Sequence, residues 1–560
     1  MIGVELLEEP RGREAGRGGM IVSVRRMFTT ERLAWLFPAV ACLVAVAIVA
    51  PRFALKGPSL VDDWFQLTYA PVAMHDILHG HFDSAAVDYA GRYRPSFYVL
   101  SYLQWPLVGS RTSTTGPTLV ALARLFLFIG AVAALTVFFL REYATRKWLL
   151  VMAGSVPLLV IATPGMVYNF ARFGVAEPTS FAAIALSLCA ITVAVRRLVS
   201  GSDKRSRAVL LFGGGYLLYL FGVYMWEASA AVVLVFPAIY FWLARDPQLR
   251  VGRLWATKTI VATAVLLVVP LVHMLLHVHS ALGRGGAGGG SSLGELAAKL
   301  GSSAAGTLWT IFGLKSFNWA VVFVLVVVYC VRRAWGGDRH AVLCVSMLAA
   351  GLLAAYLSYL VGGGLSRYYV PWLVAVAVAG AWATMQLHDG GRRLFILAAM
   401  AVVTVIGRPD AYLQSWVDGD RAGSDAISLA SSAYATGCRV YLVGFPGERR
   451  IGLARLLRNP TGPAIRATCR QGSRPAFALT WGSATTAPLA GCRTNWRAAE
   501  RGRQVRLFRC ANFQPRSNIP TQDIDLEAPV QVVRLVKPSH FVPASALHKF
   551  TLLRHRVTHS

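Results

Sequence analysis

Acidic residues are scarce in this chain. Aspartate and glutamate total 27 among 560 residues, against 56 lysines and arginines, and the formal net charge is +29. Other absences narrow the class. The eight cysteines include no CxxC pair, which argues against a zinc ribbon. The glycine-rich run Gly283-Arg284-Gly285-Gly286-Ala287-Gly288-Gly289-Gly290-Ser291-Ser292 lacks the GK[ST] ending and the preceding strand of a phosphate loop. No clear small-residue cleavage site accompanies the first apolar run, so that run is expected to be a retained anchor. No internal repeat of the transporter kind is visible.

What the chain has in quantity is apolar sequence. Hydrophobic residues make up 55% of it, and the mean hydropathy is +0.51. Runs long enough for a hydrocarbon core of roughly 30 Å recur along the first 407 residues. They lie at 34–51, 118–140, 148–163, 176–195, 208–223, 228–244, 259–279, 317–331, 341–361, 368–386 and 392–407. The fold class expected is therefore an all-α polytopic membrane protein of about eleven transmembrane helices.

Every second connection carries a basic cluster: Arg141/Arg146/Lys147, Arg196/Arg197/Lys204/Arg205/Arg207, Arg245/Arg250/Arg253/Lys258, Arg332/Arg333/Arg339 and Arg392/Arg393. Short loops rich in lysine and arginine stay in the cytoplasm. Segment 1–33 is then cytoplasmic, the spans occupy 34–407, and the loop 52–117 and the tail 408–560 lie outside. Much of the positive charge is orientation signal, so nucleic acid is not an expected partner. The basic tail suits anionic lipid headgroups or an anionic wall polymer instead.

In the first outer loop, residues 64–80 and 94–109 have helical periodicity with aromatics on one side, as interfacial helices do. Pro95 suits a first helical turn. The second outer loop, 280–316, contains the glycine run, which is either a mobile flap or a slack linker. The tail is expected to be a small extracytoplasmic α/β domain. Asp425 to Ala435 has a helical pattern, and Arg439–Val443, Ala476–Trp481 and Val505–Phe508 have strand patterns. Cys42, Cys189, Cys330 and Cys344 fall in spans, whereas Cys438, Cys469, Cys492 and Cys510 fall in the tail. Four cysteines in an oxidising compartment predict two disulfides, with three connectivities open.

The acidic pair Asp62-Asp63, in Leu60-Val61-Asp62-Asp63-Trp64-Phe65, stands out against this background. Charged groups at span ends are functional candidates. The outer set is Asp62, Asp63, Arg92, Arg94, Arg172, Glu177, Glu227 and Arg367. A solvated outer loop would carry isolated charges of this kind too; both signs gathered among aromatics at one surface favour a site.

The order of these motifs resembles the GT-C superfamily of polytopic glycosyltransferases. Its members include protein O-mannosyltransferases, aminoarabinose transferases and bacterial O-antigen glucosyltransferases. The resemblance rests on a span, Asp62-Asp63-Trp64, an interfacial helix, Gly91-Arg92-Tyr93-Arg94-Pro95, a second interfacial helix and a further span. Two later segments add to it: Arg172-Phe173-Gly174-Val175-Ala176-Glu177-Pro178, and Ser366-Arg367-Tyr368-Tyr369-Val370-Pro371. It covers roughly residues 30–400 and leaves the tail unmatched. It implies transfer of a sugar from a polyprenyl-phosphate donor to a glycan, lipid or protein acceptor outside the cytoplasmic membrane. One of Asp62 and Asp63 would be the base, while the other orients it or binds a divalent cation. Arg367 and Arg172 would hold the donor phosphate beside Tyr368, supported by Arg92 or Arg94. Glu177 and Glu227 would hold sugar hydroxyls or a metal.

The histidines offer a second constellation. His75, His79 and His81 have H-x3-H-x-H spacing, repeated by His273, His277 and His279. An i,i+4 pair on one helix face permits a metal, although interfacial histidines without a ligand are the commoner case. Two other functions compete with transfer. A flippase of lipid-linked sugars would put polar groups near the midplane, where Arg124 is the single candidate. An assembly factor would carry a degenerate site.

Overall fold

The computed structural model describes residues 30–53, 94–108, 115–163, 166–171, 176–200, 205–244, 261–270, 272–273, 293–312, 317–362 and 369–387, residues 258, 390, 393 and 396 singly, and the strand residues 439–443, 476–481, 492–500 and 503–510. The helices are α1 (Thr30–Phe53), α2 (Pro95–Val108), α3 (Thr115–Leu140), α4 (Arg146–Ala162), α5 (Val167–Ala171), α6 (Glu177–Val199) and α7 (Arg205–Val223). A 3₁₀ helix (Glu227–Leu234) runs into α8 (Val235–Ala244). Then come α9 (Val261–Pro270), α10 (Leu293–Phe312), α11 (Phe317–Trp335), α12 (Arg339–Gly362) and α13 (Val370–Met385). Four helices among the described residues are long and apolar enough to cross a membrane: Thr118–Leu140, Glu177–Val199, Arg205–Val223 and Arg339–Ser358.

The hub is α13. Its sequence, VPWLVAVAVAGAWATM, is apolar on every side, and such a helix must be buried on every side. Fourteen of its residues are buried, and it packs on α3, α4, α6, α11 and α12. Small side chains let backbones approach closely where lipid supplies no hydrophobic drive. Gly351 of α12 shows how closely: a Cβ there would lie 2.9 Å from Trp372 Cα and 3.1 Å from the Pro371 carbonyl oxygen. Backbone cannot swing aside. Gly351→Ala is therefore expected to destabilise by about 1–3 kcal/mol. Gly130, around which a Cβ would meet nothing within 4 Å, should gain up to about 1 kcal/mol as Ala. Thermal unfolding in detergent checks both; equal effects would refute this packing.

Helix α9 carries Pro270 in its last described turn, and the structure supplies what that proline removes. Pro270 has no N–H, so the Leu266 carbonyl loses its helical donor. Tyr216 Oη donates to Leu266 O at 3.0 Å, and Tyr219 Oη to Leu267 O at 2.7 Å. An orphaned carbonyl in lipid would be costly, so these tyrosines of α7 fix α9 by its broken turn.

Three segments differ from the sequence reading. The span expected at 228–244 begins with eight residues of 3₁₀ helix, an unusual length. Its tight turn stacks Ala228 and Ala231 at i,i+3, and both pack with Ala354 of α12. The segment expected as loop, 280–316, contains the 20-residue helix α10, tied to α12 by Tyr356 Oη donating to Leu300 O at 3.3 Å. Gly294, Glu295, Lys299, Gly301, Ser302 and Ser303 had kept its hydropathy below that of a span. The third is the segment of Arg124, the single candidate for a polar group near the midplane. It lies nine residues into α3, about 14 Å from the start, and donates through Nη2 to Gln104 Oε1 of α2 at 3.0 Å.

In the tail, β1 (Arg439–Val443), β2 (Ala476–Trp481), β3 (Cys492–Glu500) and β4 (Arg503–Cys510) form one sheet in the order β1-β2-β4-β3. β1 pairs parallel with β2; β2–β4 and β4–β3 are antiparallel. Three of these strands match expected positions. β3 was not foreseen: CRTNWRAAE is polar and carries a bulge between Thr494 and Trp496. Both features are those of an edge strand, the place β3 occupies. The helix expected over Asp425 to Ala435 lies outside the described residues.

Candidate functional site

Two groups of charges gather at the ends of the helix bundle, with Arg124 apart from both. At the first end, Arg94 stands immediately before α2, where Pro95 opens the helix. Its guanidinium grips Glu227, the first residue of the 3₁₀ helix. Nε donates to Oε2 and Nη2 to Oε1, both at 2.8 Å. The side chains are only 11% and 9% exposed. This planar, two-point pairing is the strongest form of a guanidinium–carboxylate contact. Glu227 neutralises Arg94, so the two groups expected at the site are paired with each other.

Glu177 begins α6 at the same end and is buried at 6% exposure. A carboxylate in a first helical turn meets the positive end of the helix dipole. One turn later, Ser180 Oγ donates to the Gly222 carbonyl of α7 at 2.8 Å and lies 2.6 Å from Ser229 Oγ of the 3₁₀ helix. That polar contact fastens the Glu177 end of α6 to the Glu227 end of the 3₁₀ helix. The sequence reading missed Ser180 and Ser229; serines two or three residues after a glutamate at the start of an apolar span were the available signal.

Below this polar layer a small apolar cleft of about 50 Å³ opens between helices. Phe181, Ser229, Ala354 and Pro371 line it. Pro371 belongs to the Arg-Tyr-x-x-Pro segment at the start of α13, and Tyr369 just before it is buried. The starts of α6, the 3₁₀ helix and α13 therefore converge, and Arg94 adds the start of α2.

The opposite end is built by the basic connections. Gly337 adopts φ 82°, a left-handed conformation that suits glycine. It closes α11 with Gly337 N–H donating to Ala334 O at 2.9 Å and Asp338 N–H to Arg333 O at 3.2 Å. Asp338 then caps α12 by accepting from the N–H groups of His340 and Ala341. Trp242 Nε1 donates to His340 Nε2 at 3.0 Å, and His340 Nδ1 meets the Tyr143 hydroxyl. His340 Nε2 also lies 3.2 Å from Glu142 Oε2, so the ring joins three partners. Arg339 bonds Glu142 at 3.0 Å, while Arg196 and Arg339 lie over the Trp242 ring. Burial, aided by Asp338 and Glu142, holds the Tyr143 hydroxyl well above the usual phenol range, so it stays neutral. Loops that the sequence marked by charge alone thus meet in one cluster.

Asp62, Asp63, Arg92, Arg172, Arg367, Tyr368, His75, His79, His81, His277 and His279 lie outside the described residues, as do Cys438 and Cys469. His273 is described, and its Nδ1 lies 3.1 Å from Tyr224 Oη. Among the described residues no group of three or more His, Cys, Asp or Glu is placed to hold a metal.

No family model matches the chain, and no curated protein matches it. Among solved structures it is similar to ArnT from Cupriavidus metallidurans bound to undecaprenyl phosphate, with 14% identity over 84% of this chain and 97% of that one, at a TM-score of 0.44. It is also similar to the Archaeoglobus fulgidus oligosaccharyltransferase tethered to an acceptor peptide, with 12% identity, 80% and 61% coverage and a TM-score of 0.44. The same archaeal enzyme, AglB, with an inhibitory peptide and a dolichol-phosphate gives 12% identity, 80% and 62% coverage and a TM-score of 0.45. The chain spans less than two thirds of the archaeal enzyme's length. At such identities and scores, the function must be argued from this chain's own residues.

Proposed function

We propose that this protein is a polytopic glycosyltransferase of the GT-C kind, acting at the outer face of the cytoplasmic membrane. It transfers a sugar from a polyprenyl-phosphate donor to a glycan, lipid or protein hydroxyl. The observation that carries the reading is the buried Arg94–Glu227 pair. It joins the Gly-Arg-Tyr-Arg-Pro segment, which follows the acidic loop in sequence, to the polar layer of Glu177, Ser180 and Ser229. That layer lies at the end of the bundle away from the basic clusters, which the charge rule sets in the cytoplasm.

In this mechanism Asp62 or Asp63 takes the proton of the acceptor hydroxyl as its oxygen attacks the anomeric carbon. The bond from that carbon to the phosphate oxygen breaks, and the polyprenyl phosphate leaves with the electron pair. Direct displacement inverts the anomeric carbon. Arg367 and Arg172 meet the charge developing on the phosphate, with Arg92 and Tyr368 beside them. Arg94, held by Glu227, fixes the start of α2 rather than the phosphate. A divalent cation at the second aspartate or at Glu177 would add to the charge on the leaving group's side. The apolar lining of the cleft beneath the polar layer suits contact with an isoprenoid chain.

Arg367→Lys keeps the charge and loses the planar fork. It should raise KM for the donor while KM for the acceptor holds; an unchanged donor KM would remove the phosphate assignment. In cells lacking the protein, mass spectrometry should find an accumulated polyprenyl-phosphate sugar and a surface glycan, lipid or protein missing that sugar. An unchanged donor pool and unchanged surface would contradict the reading. A flippase would need mid-membrane polar groups. The bond between Arg124 and Gln104 instead fastens α2 to α3, which favours the enzyme.

A further inference from the structure

The strand register of the tail sets two of its four cysteines opposite each other. β3 and β4 are antiparallel neighbours, and Cys492 lies directly opposite Cys510. Opposed residues of such a pair share a face of the sheet, with Cα atoms about 4.5–5.5 Å apart. Disulfides need about 4.4–6.8 Å. The same row continues through Ala476 of β2 to Arg439 of β1.

Cys469 comes seven residues before Ala476, the first residue of β2. β1 and β2 run parallel with Arg439 beside Ala476, so both strands start at one edge of the sheet. With Cys492 paired to Cys510, Cys438 and Cys469 are the two tail cysteines left for a second bridge.

We infer that the tail carries two disulfides of defined connectivity, Cys492–Cys510 across the β3–β4 ladder and, by elimination, Cys438–Cys469. The inference rests on the outside placement of the tail in the proposed function. Each bridge forms when two thiols give two protons and two electrons to a protein disulfide oxidant of the envelope, whose own disulfide becomes a dithiol. The first bridge staples the polar edge strand β3, which lacks an apolar pattern of its own, to the sheet.

Trypsin separates the four cysteines into peptides 422–439, 467–470, 471–493 and 510–516. Full-length protein, alkylated on lysis and digested without reduction, should give 471–493 joined to 510–516, and 422–439 joined to 467–470. Crossed pairs would overturn the connectivity. Four alkylated thiols would overturn the native disulfides, and a second arm then identifies the failed premise. Folded protein is reduced and reoxidised with diamide in detergent. Pairing of 471–493 with 510–516 only after diamide would put the fault in the outside placement. Its absence there too would put the fault in the register. Cys492→Ser should expose Cys510 alone to maleimide, adding one label per chain; exposure of Cys438 or Cys469 as well would refute the pairing.

Discussion

Asp62→Asn or Asp63→Asn is expected to lower sugar transfer by roughly 10²–10⁴-fold, the contribution of a well-placed general base. Asparagine keeps the size of the side chain and cannot accept the proton. The acceptor hydroxyl must then attack with its proton in place, and its pKa is far above neutral. The two aspartates need not respond alike. Loss of the base should be partly rescued by an acceptor with a more acidic hydroxyl. Loss of the residue that orients the base or binds a cation should not. Both variants should keep the wild-type unfolding midpoint in detergent, which separates a chemical loss from a folding one. Full activity in both would end the assignment of Asp62 and Asp63 as base and helper.

Arg94→Ala should cost about 3–5 kcal/mol of stability, because it leaves the Glu227 carboxylate buried without its partner. The pair is two-point and almost wholly enclosed, so solvent cannot take over from the missing guanidinium. Removing both charges is a different experiment. Arg94→Met with Glu227→Leu fills similar volume with apolar atoms and should recover most of the lost stability. If the pair also positions α2 for the acidic loop, that double variant should remain poor in transfer although it folds. Thermal unfolding and a transfer assay on the same preparations read both effects. An unfolding midpoint unchanged in Arg94→Ala would show that the pair does not hold the two elements together.

The bundle was readable from hydropathy wherever a helix is uniformly apolar. The Glu177–Val199 and Arg205–Val223 helices are such cases, and their ends follow the expected spans closely. Helix α10 was not readable, because its glycines, serines, Glu295 and Lys299 dilute the apolar signal that its packing against α12 supplies. The 3₁₀ start of the sixth span was hidden for another reason: an Ala- and Val-rich stretch has the same hydropathy in either helix type. Strand β3 was missed because an edge strand need not alternate. At the site, Arg94, Glu177 and Glu227 stood out as charges in apolar company. That Arg94 and Glu227 would hold each other could not be seen, since 133 residues separate them. The His340, Trp242, Tyr143 and Glu142 cluster was hidden in the same way. Its loops were recognised by sidedness, yet their meeting depends on tertiary packing that no local pattern records.

The central claim is that this chain makes a glycosidic bond. The direct measurement uses purified protein in liposomes, a synthetic polyprenyl-phosphate sugar labelled in the sugar, and a panel of glycan, lipid and peptide acceptors. Product mass and anomeric configuration are read by mass spectrometry and NMR. The account predicts a labelled glycoside of inverted configuration, with one free polyprenyl phosphate released per bond formed, and loss of both products in Asp62→Asn/Asp63→Asn. Labelled donor that crosses the bilayer intact, with no glycoside on any acceptor, would contradict it.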